Sequence, residues 1–213
     1  MSSLNMKSHQ TGGVLITFCG LDGCGKSTMI RKLCEKIEDH DSNILLTKQP
    51  TDIMRKSDIF RTYMDYEDHS QYEYRSLSLM AAADRVQHVN KVILPALESK
   101  KTVISDRYFY SCLANLRARG YQGDSWIYEI SKDIVKPDLA FFLDVPVEKA
   151  VGRVRSRKAE KDRYIDMELQ YRLREEYINI CKENGGFLIY TDKDEDESFE
   201  EIWKYTESYL GGK

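Results

Sequence analysis

The chain has 213 residues, of which 41 % are hydrophobic and 31 % charged, and its net charge is −3. Such a balance suits one water-soluble α/β domain with a core of its own. It excludes the strongly basic surface that tracks a nucleic-acid backbone or an anionic membrane. No apolar run approaches the ~18 residues of a membrane span, so any anionic substrate must be held by a local cluster of cations.

Residues 1–12 are polar and lack the apolar core of a signal segment, and they read as a floppy tail ahead of a single domain over 13–213. Val14 to Cys19 is a short apolar run that ends at glycine, the pattern of a buried strand and a turn. From Ser27 to Glu38, apolar Met29, Ile30, Leu33, Cys34 and Ile37 recur at helical spacing. Ile44 to Thr47 predicts a second strand, broken by Gln49-Pro50-Thr51. Residues 70–98 read as mostly helical, with a bend or break at Pro95.

Thr102 to Asp106 is a third strand carrying an acid at its end. A helix over Trp126 to Val135 is stopped by Lys136-Pro137-Asp138, and Leu139 to Leu143 follows as a fourth strand. Helices are predicted over Val147 to Ser156 and over Ile165 to Glu183, the latter ended by Gly185-Gly186. Phe187 to Thr191 gives a fifth strand, and Phe199 to Leu210 a closing helix. Alternating strands and helices mean βαβ units: a five-stranded parallel sheet with helices on both faces. Ligands in such folds bind at the carboxyl ends of the strands.

The cysteines, Cys19, Cys24, Cys34, Cys112 and Cys181, are odd in number and lack metal-ligand spacing. They read as reduced thiols of a cytoplasmic protein. His9, His40, His69 and His88 are scattered, so no cage of protein ligands for a metal is implied.

Gly20 to Ser27 (GLDGCGKS) fits G-x-x-x-x-G-K-[ST] at every fixed position, between a strand and a helix. Gly20, Gly23 and Gly25 let the backbone curl so that its N–H groups, from Gly20 through Cys24 to Thr28, face phosphate oxygens. The following helix adds the positive end of its dipole. Lys26 is expected on the β- and γ-phosphates of ATP, and the Ser27 hydroxyl on Mg²⁺. Asp22, inside the loop, reads either as a surface turn residue or as a carboxylate serving the acceptor or a metal-bound water. Asp106 stands where a Mg²⁺-associated carboxylate is expected, followed at once by Arg107 and Tyr108. Arg85 follows the small residues Ala81 to Ala83, which let a ligand or a backbone approach. Arg153, Arg155, Arg157, Lys158, Lys161 and Arg163 form a basic run beyond the fourth strand. It reads either as a solvated face or as a mobile lid, about 152–164, that brings Arg153 or Arg157 to a transferring phosphoryl group.

Together, Phe18 to Thr28 (FCGLDGCGKST), Thr47 to Pro50 (TKQP), Ala82 to Arg85 (AADR), Ile104 to Tyr108 (ISDRY) and Lys136 to Asp138 (KPD) resemble the thymidylate kinase family, over nearly the whole chain from Val14 to Leu210. The resemblance implies a P-loop fold, a lid over ATP and transfer of its γ-phosphate to a small-molecule acceptor, thymidylate. It also implies a homodimer packed through helices. Arg85 would then hold the acceptor base or its phosphate side, and Arg107 the acceptor phosphate and the transferring group. Arg153 and Arg157 would serve the lid, and Asp162-Arg163-Tyr164 resembles the segment just past it. Three positions depart from the family pattern. Lys48-Gln49-Pro50 replaces Glu-Pro. Ala81 and Ala82 stand where an aromatic residue usually stacks on thymine. Asn115 falls where another aromatic usually lies near the sugar. Tyr72, Tyr74 and Phe109 are candidates to supply the missing stack. A nucleoside kinase using Asp22 as base, a kinase for another nucleotide and a nucleotide-binding module with weak hydrolysis remain open alternatives.

Overall fold

The computed structural model describes residues 3–38, 43–161 and 163–212. His40 and Asp162, both singled out in the sequence, lie outside the described residues.

Five parallel strands, β1 (Val14–Cys19), β2 (Ile44–Lys48), β3 (Thr102–Asp106), β4 (Leu139–Asp144) and β5 (Phe187–Tyr190), form one sheet in the order β2-β3-β1-β4-β5. Every residue of β1 and β4 is buried. Helices covering both faces explain why these strands read as unbroken apolar runs rather than alternating ones. All five strands lie within a residue or two of their predicted positions. The chain passes from one side of β1 to the other between β3 and β4, which makes the carboxyl end of β1 the switch point where a ligand crevice belongs.

Helix α1 (Lys26–Glu38) buries Met29, Ile30, Leu33 and Ile37 against the sheet. Two helices that the sequence pattern did not announce follow β2: α2 (Asp52–Arg55) and α3 (Asp58–Asp65), the latter capped by Ser57 accepting from the Phe60 N–H. The long helical region divides into α4 (Tyr74–His88), a π-helical turn at Val89–Ile93 and α5 (Leu94–Glu98). Pro95 accounts for the break, because it has no N–H to continue the α-helical ladder.

Helix α6 (Tyr110–Ala118) was also unannounced; eight of its nine residues are buried, so no amphipathic stripe betrays it. Helices α7 (Trp126–Ser131), α8 (Val147–Arg155), α9 (Met167–Asn184) and α10 (Glu195–Gly211) complete the fold. Helix α9 ends at Gly185 with φ 70°, a left-handed cap that glycine supplies without strain. The last helix starts earlier than predicted, because Asp194 caps it by accepting from the N–H groups of Asp196 and Glu197.

The expectation of a floppy tail over residues 1–12 fails for its described part. Leu4 and Met6 are buried. The Lys7 N–H donates to Ile134 O at 2.8 Å, and the Lys136 N–H returns a bond to Lys7 O at 2.7 Å. His9 bonds the Asp138 carboxylate at 3.0 Å, and that carboxylate also accepts the Leu15 N–H. The segment is polar overall, but its two apolar side chains and its backbone bonds hold it to the edge where β1 and β4 begin.

Candidate active site

The phosphate-binding loop leaves β1 at Gly20 and enters α1 at Lys26. Gly20, Gly23 and Gly25 have φ of 135°, 82° and 94°, conformations open to glycine and costly for other residues. A Cβ on Gly23 would stand 2.1 Å from Ala150 O, so the loop also requires glycine for its close approach to α8. The buried Lys26 ammonium donates to Leu21 O at 2.6 Å and to Gly20 O at 3.2 Å, which holds it across the loop.

The loop borders a cavity of about 570 Å³, lined in part by Gly25, Lys26, Ser27, Thr28, Asp106 and Arg157. A second cavity of about 460 Å³ lies beside it and includes Tyr74, Ser78, Ala81, Arg85, Asn115 and Arg119 in its walls. Asp22, Arg55, Phe60, Met64, Arg107 and Arg163 border both. The two cavities therefore share a boundary rich in guanidinium groups.

At that boundary Arg107 Nη2 bonds Asp22 Oδ1 at 2.5 Å, and its Nη1 reaches Tyr177 Oη at 3.0 Å and Gly20 O at 3.1 Å. Arg107 has φ 67°, and its N–H is tied to Phe18 O. A left-handed conformation costs a side-chain-bearing residue roughly 1–2 kcal/mol, offset here by contacts that turn the guanidinium from the end of β3 toward the loop. Arg163 Nη2 bonds the other Asp22 oxygen at 3.1 Å. Burial opposes ionisation of Asp22, but Arg107, Lys26 and Arg163 outweigh it and hold the carboxyl well below the usual range. Burial likewise works against the charge on Arg107, yet Tyr177, Asp22 and Asp106 raise its pKa further.

Asp106 Oδ2 pairs with Lys48 at 3.0 Å, whereas Oδ1 is buried with no hydrogen-bond partner among the described residues. Burial would raise its pKa, but Arg107, Lys26 and Lys48 lower it, so the group is ionised. An ionised carboxylate with one orphaned oxygen, bordering the same cavity as the Ser27 hydroxyl, is the hard-oxygen donor set that suits Mg²⁺ bound partly through phosphate. Among the described residues no cluster of three His, Cys, Asp or Glu could hold a metal by itself.

Several sequence-derived expectations need correction. Tyr108 is fully buried and donates to Val135 O at 2.7 Å, away from both cavities; it is a core residue. Phe109 is likewise wholly buried. Arg153 does not reach over the cavity: it lies on α8 and donates to Gly23 O at 3.3 Å and Thr191 O at 3.0 Å, bracing the loop from behind. Cys24 is buried, with Thr191 Oγ1 donating to its carbonyl. Of the two lid arginines only Arg157 borders the first cavity, and it pairs with Glu160 at 3.3 Å. Arg85 is buried on α4, where it donates to Ala81 O at 2.8 Å, and Ala81 and Asn115 border the second cavity.

Sequence reasoning missed Arg55, Phe60, Tyr63 and Arg119. The first three sit on α2 and α3, helices of only four and eight residues, too short for a sustained periodic run to stand out. The cis Gln49-Pro50 turn leads into them, and Arg55 Nε donates to Pro50 O at 2.8 Å. The only hint was the density of arginine and aromatic residues between Arg55 and Tyr66.

The sequence model of the family described as thymidylate kinase matches residues 18–202. A probable thymidylate kinase of Thermococcus kodakarensis is 38 % identical over 174 residues, covering 79 % of this chain and 84 % of the relative. One from Methanococcus maripaludis is 35 % identical over 196 residues, covering 88 % and 92 %. The crystal structure of thymidylate kinase from Ehrlichia chaffeensis superposes with a TM-score of 0.69 at 27 % identity, over 92 % of this chain and 99 % of that one. The phosphate loop, the acid and arginine at the end of β3 and the arginine of α4 all lie within a match that runs through most of the chain, and the protein belongs to the thymidylate kinase family.

Proposed function

We propose that the protein transfers the γ-phosphate of ATP to a nucleoside monophosphate, thymidylate, to give the diphosphate. The observation that carries this reading is the shared boundary of the two cavities. Phosphoryl transfer needs a donor and an acceptor phosphate facing each other, with positive charge around the transferring group. Arg55, Arg107 and Arg163 surround the one place where the cavities meet. ATP binds on the loop through its N–H groups and Lys26, and the acceptor phosphate lies against Arg107 and Arg55. Arg157, which borders the first cavity just beyond α8, closes over the donor side. Ser27 and Asp106 would hold Mg²⁺, which neutralises phosphate charge when bound. An acceptor phosphate is already anionic near neutral pH, so positioning and charge suffice without a general base.

Phosphate-directed cations at the boundary favour a nucleotide acceptor over a nucleoside. ADP formation from Mg·ATP should depend on added nucleoside monophosphate and be fastest with dTMP; equal rates without acceptor would leave a hydrolase or binding module instead.

The exposed apolar residues Leu79, Met80 and Val92 on one helical stretch support a homodimer. Sedimentation velocity should give twice the chain mass, and a monomeric value would exclude it. Five free cysteines suit a reducing, cytoplasmic setting, and among the described residues no helix is long and apolar enough to cross a membrane.

A further inference from the structure

Asp84 and His88 lie one turn apart on the same face of α4, and both hold the chain where it leaves β2. Asp84 accepts the Thr51 N–H at 2.8 Å and also the Thr51 hydroxyl. His88 Nε2 bonds Thr47 Oγ1 at 2.9 Å, and its Nδ1 bonds Gln49 Nε2 at 3.0 Å. Gln49 is wholly buried and His88 is 7 % exposed. With an amide N–H facing it, Nδ1 accepts, so the ring proton sits on Nε2 and is donated to Thr47. The imidazole in this arrangement is neutral.

The main chain of the held segment leads to the site. The Gln49 N–H donates to Asp106 O at 2.9 Å. Arg55 Nε donates to Pro50 O at 2.8 Å and its Nη2 to Gln49 O at 3.4 Å. Arg55 borders both cavities. Arg107 and Arg163 are fixed there by Asp22, whereas Arg55 has no carboxylate partner among the described residues. Two backbone carbonyls fix where its charge stands, and both belong to the segment that α4 holds.

For stability alone the His88–Gln49 pair is a poor device. Gln49 Oε1 is buried without a hydrogen-bond partner among the described residues. An orphaned buried acceptor weakens a fold, and a pair of apolar side chains of matching shape is often no less stable. What the polar pair supplies is direction: it fixes the orientation of Gln49, and with it the carbonyls that Arg55 meets.

We propose that His88 is a positioning residue for phosphoryl transfer, acting through Gln49 to hold Arg55 against the phosphate at the boundary of the cavities. The inference rests on the proposed monophosphate kinase activity. The pair requires a neutral ring, because a protonated His88 would set N–H against N–H and displace the amide. Burial holds the His88 pKa below the usual imidazole range; Asp84 works against this and Arg85 with it. Those two, both on α4, are the charged groups that act on the ring, and β2 and the turn after it bring Thr47 and Gln49.

The test is a double-mutant cycle read as kcat/KM for dTMP at saturating Mg·ATP, with His88→Ala, Arg55→Met and the two combined. His88→Ala should lose about 10- to 100-fold, the cost of a misplaced group, with the KM for ATP changed less than that for dTMP. Arg55→Met should lose at least as much, and the double variant no more than Arg55→Met alone, because His88 acts through Arg55. His88→Asn, whose Oδ1 can accept from Gln49 in place of Nδ1, should recover most of the rate. In acid the wild-type rate should fall more steeply than that of His88→Asn, which has no ring to protonate. Should His88→Ala not fold, that comparison of pH profiles decides. Losses that multiply in the double variant, wild-type turnover in His88→Ala, or coincident pH profiles would overturn the inference and leave the kinase reading intact. A wild-type chain that phosphorylates no monophosphate would overturn the kinase reading itself.

Discussion

Lys26→Ala should lower kcat by about 10³-fold, the upper range for removal of one preorganised donor from a transition state, and leave the fold in place. The Lys26 ammonium is the cation fixed within the loop itself, and its two carbonyl partners, Leu21 and Gly20, border water-accessible space once it is gone. The strand and helix on either side have packing of their own: Phe18, Cys19, Met29 and Ile30 are buried in the core. Steady-state ADP release and a thermal melt on the same sample separate the two effects. Retained turnover would remove Lys26, and the loop with it, from the chemistry.

Arg107→Met should lose about 10²- to 10³-fold in kcat/KM for the acceptor and should also weaken the fold toward acid. Arg107 contacts Asp22, Tyr177 and Gly20 at once, so its removal strips charge from the boundary and leaves Asp22 with Arg163 and Lys26 alone. The sign of the pH effect follows from the depressed folded-state pKa of Asp22. A carboxyl held below its unfolded value contributes stability above about pH 4, and that contribution disappears only as pH falls through the lower folded value. In the wild type the loss therefore lies in strong acid. The variant keeps the burial that raises the Asp22 pKa and loses the first of the charges that lower it, so its acid unfolding midpoint should move to higher pH. With 39 % of the Asp22 side chain exposed to the cleft, the shift should be modest and salt-sensitive. Acid titration followed by circular dichroism checks this; coincident curves for the two chains would mean that the Arg107–Asp22 pair contributes nothing to the fold.

The sheet was legible because β1 and β4 are covered on both faces and so read as nearly unbroken apolar runs. The loop was legible because its glycines, lysine and serine follow a local rule of spacing. Asp106 and Arg107 could be marked from their place at a strand end. Helix α6 was hidden by the opposite circumstance: burial on nearly every side erases the periodicity that would announce a helix. Helices α2 and α3 are short and mixed in character, and their contribution to both cavities depends on the path taken after Pro50. Arg153 illustrates a different limit. Its position in a basic run resembles that of Arg157, but the α8 register directs one guanidinium to the back of the loop and leaves the other at the cavity. No spacing rule within the run distinguishes them.

The central position of β1 also governs when the fold can complete itself during synthesis. Its neighbours are not β2 but β3 and β4, with Val14 opposite Thr102 and Ile16 opposite Leu139. β1 leaves the ribosome before either partner and must therefore wait for β3 and β4, the latter more than a hundred residues further on, before it is paired on both sides. The amino-terminal contacts wait longer, since Leu4 N donates to Asn184 Oδ1 at 3.0 Å. Contacts so distant along the chain slow folding and prolong exposure of an apolar strand. Chains released before β4 should accordingly aggregate rather than persist as a working amino-terminal half, even though that half contains the entire phosphate loop.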